Sequence, residues 1–583
     1  MHATELPSSV GVQWEWKRPS NWIFVLSIVR DIAALLSRRP ILVTSIIAVI
    51  LVTLYAYRYA WEPYVLFVPS IYIGGIIGVV GITLLMWYGS GTLIGWVFPK
   101  FKPLAAIFKP AGALLGLGLI FAAAAYGGPV HTYVAQAWQF AILDVVEPDE
   151  EPTTDKERIW PLGGIHNYAR QQMFDTEAPT SPNLVRSGAN NVWTMAVEPA
   201  TPVLQFFDDV EEVISLRSDT VSFRLSRGKN VRFETGERLL FSRNVFTCVR
   251  RRMWFWQALR HEPAKNVIYL KNDAGAYVQV VPVIRWAGIA FPRPTFGGVI
   301  VIEQSAKLVH SSSFGWLREK AENFVYGTLP RVFWGCGTWI GPDDVRNHSY
   351  LVGQNIVPYE VTRFMAASTR FRAGLFAPMP WRREGDVRIA DLPDDVNQQP
   401  FTLHFNVRHK GALVAGKLYQ HVSLEPEADD KQALATALLV PADWIGPSYL
   451  YWYYGRDTSC TGVTAIGGYV QSSKRDYIWG SAKSEARGII VSRAFEHRPY
   501  MRDIADAQGT IRTRQMWLST VMSLDKSDLT KFPLGRLTGA PEIAITDCHH
   551  PDKTVWVKGD PDQWPAQIKA KLGSVWANDE KKH

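Results

Sequence analysis

Three apolar runs between Pro40 and Gly128 decide which solvent the rest of the chain meets. Ile41 to Tyr57 is uncharged up to Arg58, Tyr64 to Tyr88 has no charged side chain, and Leu104 to Tyr126 has one, Lys109. A bilayer core of about 30 Å takes roughly 20 apolar helical residues to cross. In lipid, only a helix satisfies every backbone group within its own segment. The sequence therefore predicts an integral membrane α-helical region over residues 41–128, with three helices. The β-branched residues of the first run would favour a strand in water, but seventeen residues exceed a typical strand. Gly74 and Gly78 stand four apart on the second run, and this small-residue spacing predicts a helix-packing face.

The flanks orient these helices. Lys17, Arg18, Arg30, Arg38 and Arg39 precede the first run, and Lys100, Lys102 and Lys109 lie between the second and third. Beyond the third the chain turns acidic, with Asp144, Glu147, Asp149, Glu150 and Glu151. Basic residues stay on the cytoplasmic side, so residues 1–40, with an amphipathic helix over Asn21 to Leu36, read as cytoplasmic. No signal-peptide apolar core stands in the first twenty residues. Three crossings would carry everything after Gly128 to the far side. Residues 129–157 read as an amphipathic helix over Val130 to Val146, whose alternative is a fourth crossing, followed by an acidic linker. The expected location is a bacterial inner membrane, multi-pass.

Residues 158–583 read as a large soluble α+β region, mainly antiparallel, with room for two subdomains. Hydrophobic residues make up 47% of the chain and charged ones 20%, which excludes a disordered polypeptide. The net charge of +8 sits mostly in residues 1–143, with nine Lys/Arg against four Asp/Glu. Basicity is thus a topology signal, and no nucleic-acid partner is expected. Cys248, Cys336, Cys460 and Cys548 form no C-x-x-C pair. They permit two disulfides in an oxidising space, or four ordinary thiols in a reducing one.

Hairpins are predicted around Arg227 to Asn230 and around Asn272 to Gly275, with a buried strand at Gly297 to Ile302. Leu403, Phe405 and Val407 alternate with His404, Asn406 and Arg408, as a half-buried strand does. Helices are expected near Pro202 to Ile214 and over Ser312 to Tyr326, Val361 to Phe371, Asp430 to Leu439 and Trp564 to Trp576. No internal repeat is visible.

Chemistry has few anchors. Asp547, Cys548, His549, His550 and Asp552 carry the side chains zinc uses. Adjacent strand residues point to opposite faces, however, so a polar loop is the stronger reading. Cys336 sits between glycines, as in a turn. There is no G-x-S-x-G elbow, phosphate loop or dinucleotide fingerprint, so no cofactor is expected and the reading leans away from an enzyme. Arg250, Arg251, Arg252, Trp254 and Trp256 form a basic-aromatic stretch suited to anionic lipid or an acidic partner. The strand reading of that stretch puts Trp254 and Trp256 on one face. Tyr449 to Tyr454 offers a second aromatic surface, for protein or sugar. Three function classes follow: a structural, partner-binding subunit of a secretion, conjugation or envelope assembly; a ligand-sensing effector that perturbs the bilayer; and a membrane-anchored hydrolase. The first is favoured, with membrane lipids and other subunits as partners in an oligomer or hetero-complex.

Overall fold

A computed structural model describes Ser45, residues 47–53 and residues 132–579, apart from 189, 221–224, 229–230, 289–290, 306–330, 332–333, 374–386, 391–398, 427–432, 453–459, 481–489 and 528–534. The chain divides into two units, Met1–Trp61 and Glu62–His583. Of the first, residues 47–53 are helical, and Ile47, Val49, Ile50, Leu51 and Val52 are all exposed. The second and third apolar runs, with Gly74 and Gly78, lie outside the described residues, as does Ser312 to Tyr326. Among the described residues no helix is long and apolar enough to cross a membrane.

From residue 132 onward the fold is α+β and mainly antiparallel. One arrangement occurs twice in tandem. Each half opens on a ten-residue helix whose N-cap is a proline, Leu162–Gln171 after Pro161 and Tyr359–Ser368 after Pro358. A five-stranded meander follows in each. In the first half its strands are Glu177–Pro179, Asn183–Ser187, Asn190–Pro199, Glu212–Arg217 and Leu225–Gly228. In the second they are Val387–Ile389, Phe401–His409, Ala412–Pro426, Thr436–Pro441 and Ser448–Trp452. Both times the long third strand takes two partners on one edge. The first strand pairs with its C-terminal end and the second strand with the stretch before that. The fourth and fifth strands then follow on the other edge. A helix comes next, Val245–Arg252 or Val463–Ser473, and then a long hairpin that takes a third strand on its second arm. The hairpins are Tyr277–Ala287 with Arg293–Ile302, and Ile490–Ala505 with Ile511–Asp525. Their third strands are Thr338–Ile340 and Glu542–Asp547.

Side-chain alternation along the strands lets each sheet bury both faces. In the first half, Ala196 and Val213 of the meander meet Val281, Val283 and Ile300 of the hairpin sheet, with Val245 and Val249 of the linking helix. In the second half, Phe405, Leu439 and Tyr451 meet Met501, Trp517 and Ala544, with Val463 and Val470 of the linking helix. The remaining faces pack across the halves. Trp193, Met195 and Ile214 meet the second hairpin sheet through Phe495, Leu518 and Ile545, beside Ile165 of the first opening helix. Val422, Leu438 and Val440 meet the first hairpin sheet through Val280, Phe296 and Val299, beside Val361 and Met365 of the second opening helix. Each half thus completes the other's core.

The segment that leaves the expected membrane region is built into this body. Residues 132–142 form a helix with Ala135 and Gln139 buried and Trp138 and Ile142 exposed. Val145–Val146 and Thr153–Asp155 then add to the two outer edges of the second meander, on Ser448–Trp452 and Phe401–His409. The acidic stretch read as a linker therefore carries an edge strand. It runs into a buried ion network, in which Arg158 and Arg498 both bind Glu496 and Arg502 binds Glu157 at 3.0 Å. Thr520 Oγ1 donates to the Ile159 carbonyl at 2.7 Å, and Arg158 lies 5.2 Å over the Trp193 ring. Paired and hydrogen-bonded charges survive burial, whereas removing one partner typically costs about 3–5 kcal/mol.

Several local expectations are corrected. Leu225–Gly228 pairs with Glu212–Arg217 and Phe233 bridges Val210, while part of the turn expected at Arg227 to Asn230 lies outside the described residues. The helix from Pro202 ends at Phe207, because Glu212–Arg217 is a strand. Within Asp430 to Leu439, the described residues hold the start of strand Thr436–Pro441, buried at every position between two neighbours. A continuous apolar run has no period with which to separate strand from helix. Tyr449, Leu450 and Tyr451 are buried, so the described part of that aromatic run is core rather than surface, and Tyr453 and Tyr454 lie outside the described residues. The hairpin at Asn272, the strand at Gly297 to Ile302 and the helix from Trp564 form as expected.

Candidate functional site

The loop after Glu542–Asp547 has its side chains committed elsewhere. Cys548 is bonded to Cys460. Asp547 accepts from Trp576 Nε1 at 2.6 Å and from the backbone N–H groups of His549 and His550 at 2.8 and 3.0 Å. Burial opposes its ionisation, but hydrogen bonds from His550, Trp576 and those N–H groups outweigh it and hold the carboxyl below its ordinary value. His549 is exposed, and Asp552 pairs outward with Lys553 at 2.9 Å. Among the described residues no three His, Cys, Asp or Glu side chains stand together to hold a metal ion. The cysteine is spent in a disulfide and the aspartate closes its own loop, which favours the polar-loop reading of Asp547 to Asp552 over the zinc-type one.

His404, Asn406 and Arg408 join structural elements. His404 is buried, with Nε2 2.6 Å from Asn191 Oδ1 across the halves and Nδ1 3.0 Å from the Gly416 carbonyl oxygen. Asn406 holds Thr153 and the Gly416 N–H, and Arg408 meets Glu150 at 3.3 Å.

All four cysteines pair, one bridge to each half. Cys248–Cys336 has Cα atoms 5.4 Å apart and Cys460–Cys548 4.9 Å, each across 88 residues of sequence. Both tie the link between a half's two sheets to the third strand of its hairpin sheet.

The basic-aromatic stretch lies over the first of these bridges, and it is helical rather than extended. Asn244 caps helix Val245–Arg252 by accepting from the Thr247 N–H at 3.1 Å. Arg250, Arg251 and Arg252 fill its last turn, where positive charge complements the exposed carbonyls. A helix separates the three. Arg251 is only 4% exposed, Arg250 is half-buried, and Arg252 is exposed and donates through Nε to the Gly337 carbonyl at 3.0 Å. Trp254 is 76% exposed, and its carbonyl accepts from the N–H groups of Gln257 and Ala258, which starts helix Phe255–Ala258. Trp256 lies within that helix, so the shared strand face predicted for the two tryptophans does not form. A different partner takes its place. Gly335, at φ +69°, packs where any Cβ would strike the backbone of Cys248 and Arg252, and this sets Trp334, 72% exposed, beside the same helix end. Phe241, 54% exposed, starts the 3-10 turn that packs on this helix, at a φ of +54° that a non-glycine residue adopts at a cost of about 1–2 kcal/mol.

A buried carboxyl recurs in both halves and was not expected. Glu198 ends the long strand of the first meander and accepts the N–H groups of Glu237 and Arg238, both at 2.7 Å. Glu425 ends its counterpart and accepts from Thr464 N at 3.0 Å and Thr464 Oγ1 at 2.7 Å. The chain just before each anchored segment is a glycine, Gly236 or Gly462, where a Cβ would strike the carboxylate. In the first half the next residue is Glu237, whose half-buried carboxyl is pushed up to about 8 by burial and then by Glu198, against N–H donation from Ser181 and Val267. In the second half that residue is Val463. The paired sequences Val197-Glu198-Pro199 and Leu424-Glu425-Pro426 carry a readable signal of these anchors.

No protein-family model, no curated protein and no solved structure matches this chain.

Proposed function

We propose that the chain is a membrane-anchored, partner-binding subunit of a multi-protein membrane assembly, with its disulfide-closed region outside the cytoplasm. The observation that carries this reading is the pairing of all four cysteines, one bridge in each half, downstream of three apolar runs with basic flanks. Disulfides persist in oxidising compartments, which is where three crossings from a basic N-terminus would deliver residues 132–583. Two interlocked halves supply a rigid scaffold, and the edge bearing Trp254 and Trp334 supplies an adhesive surface on it.

The test combines topology with thiol state. A compartment-specific reporter after His583 should score as external, and a maleimide polymer should shift the denatured chain only after reduction. A native detergent extract should then run well above the 65.7 kDa chain. A cytoplasmic reporter with freely labelled thiols overturns the placement, and a monomer-sized particle overturns the assembly.

A further inference from the structure

We infer that the edge carrying Arg250, Arg252, Arg260, Trp254 and Trp334 is a seat for anionic lipid headgroups, laid against the bilayer that anchors the chain. The inference rests on the membrane-anchored reading and names what this surface meets.

The charge is one-sided. Residues 249–260 carry four arginines and no acidic residue; of the four, Arg251 is buried, Arg250 is half-buried, and Arg252 and Arg260 are exposed. Glu262 opposes it, with a carboxyl raised by burial against the pull of Arg250. Exposed tryptophans and arginines on one rim are what a headgroup layer takes up, with rings at the apolar boundary and guanidinium groups on phosphate.

The exit helix and the rim pack at opposite ends of one helix. Tyr133, in the helix that follows the expected third crossing, packs at 5.0 Å on Phe371. Phe371 belongs to the 3-10 turn Thr369–Ala373 that continues helix Tyr359–Ser368, and Glu360 opens that helix. Glu360 and Arg250 both act on Glu262 of edge strand His261–Pro263. Helices Val245–Arg252 and Tyr359–Ser368 cover opposite faces of the first hairpin sheet. The acidic residues after the exit helix are partly tied inward, Glu147 to Arg372, Glu150 to Arg408 and Asp149 to the Gly411 N–H.

The test uses the full chain, purified and reconstituted into vesicles of phosphatidylcholine alone or mixed with phosphatidylglycerol. Hydroxyl-radical footprinting reads oxidation at Trp254 and Trp334. Both should be protected in the anionic vesicles and not in the neutral ones, and high salt should remove the protection from the unaltered protein. Alanine at Arg250, Arg252 and Arg260 should lower the seated equilibrium about fivefold per charge, roughly 100-fold in all. Arg260→Ala alone checks the trend without touching the helix cap or the Gly337 contact. Equal oxidation in both vesicle types, with the chain resisting alkaline carbonate, overturns the lipid seat and leaves the membrane anchor standing. A chain stripped off by carbonate overturns both.

Discussion

The two halves solve one packing problem with different residues at one key place. In each, a glutamate at the end of the long meander strand reaches under a glycine and holds the backbone that starts the next segment. The second half follows that glycine with Val463, buried in the core. The first follows it with Glu237, so two carboxyls share one partly dry space. The disulfides diverge likewise. Cys336 precedes its strand, Thr338–Ile340, whereas Cys548 follows Glu542–Asp547, so the bridges grip opposite ends of equivalent strands. An architecture can be kept while the charges and crosslinks within it are rearranged, provided each buried group still finds a partner.

The largest difference is expected from the crosslinks. Both close loops of the same length, so loop entropy alone assigns each about 4–5 kcal/mol. Packing separates them, because Cys460 and Cys548 are both buried among Met501 and Trp517 whereas Cys336 is half-buried. Cys460→Ala with Cys548→Ala should therefore lower the urea midpoint more than Cys248→Ala with Cys336→Ala. Equal losses would mean that packing adds nothing. No loss in either variant would mean that the thiols are not bonded in the native protein.

Next come the anchoring carboxyls. Glu425→Ala removes the acceptor of two partly buried donors and should cost about 2–3 kcal/mol in chemical denaturation. Glu198→Ala also strands two N–H groups but relieves the repulsion on Glu237, so its cost should be smaller by about 1 kcal/mol. If Glu198→Ala proves the more damaging, the two carboxyls of the first half do not repel each other and the contrast drawn between the halves is wrong.

Much of this was legible, and the limits have physical causes. Alternation found the core face of strand Phe401–His409, since Leu403, Phe405 and Val407 do face a core, but Thr402 and His404 on the other face are buried as well. It failed at Thr436–Pro441, which is buried on both sides and has no period to read. The duplication left traces in Ile159-Trp160-Pro161 and Ile356-Val357-Pro358 before the opening helices, and in Thr235-Gly236 and Thr461-Gly462 after the anchoring glutamates. Those traces fall at no fixed period, because the second half carries long insertions around its first meander strand. The arginine run was legible as a basic-aromatic surface but not as a helix end. Trp334, 80 residues beyond Trp254, is brought to the same helix end by the Cys248–Cys336 bridge, the Arg252–Gly337 hydrogen bond and the close approach at Gly335.

The smallest and most diagnostic difference concerns pH. Glu237 in the folded chain keeps its proton up to about pH 8, whereas an unfolded glutamate gives it up near 4.5. Folding therefore takes up a proton between those values. The favourable contribution is complete below about pH 4.5 and is lost as the pH rises through 8. Among the described residues the second half has no such group beside Glu425. It holds the most depressed imidazoles instead, His421 at about 3 and His497 at about 4, both driven down by burial, with Arg498 adding to the effect at His497. Those imidazoles act in the opposite sense, because the unfolded chain binds their protons near pH 6.5 and stability is lost as the pH falls toward 4. The whole protein should then be most stable near pH 6, with an alkaline limb from the first half and an acid limb from the second. Glu237→Gln keeps an oxygen acceptor for the Ser181 and Val267 N–H groups but cannot ionise. It should flatten only the alkaline limb and raise stability at pH 8.5 by about 2 kcal/mol over the unaltered chain. That is well below the roughly 5 kcal/mol implied by 1.36 kcal/mol per pH unit across the full interval, because water reaches a half-buried carboxyl. Urea unfolding at pH 5, 6.5 and 8.5 would measure both limbs. An alkaline limb unchanged in Glu237→Gln would mean that the carboxyl pair does not hold its proton, and that the first half differs from the second in sequence alone.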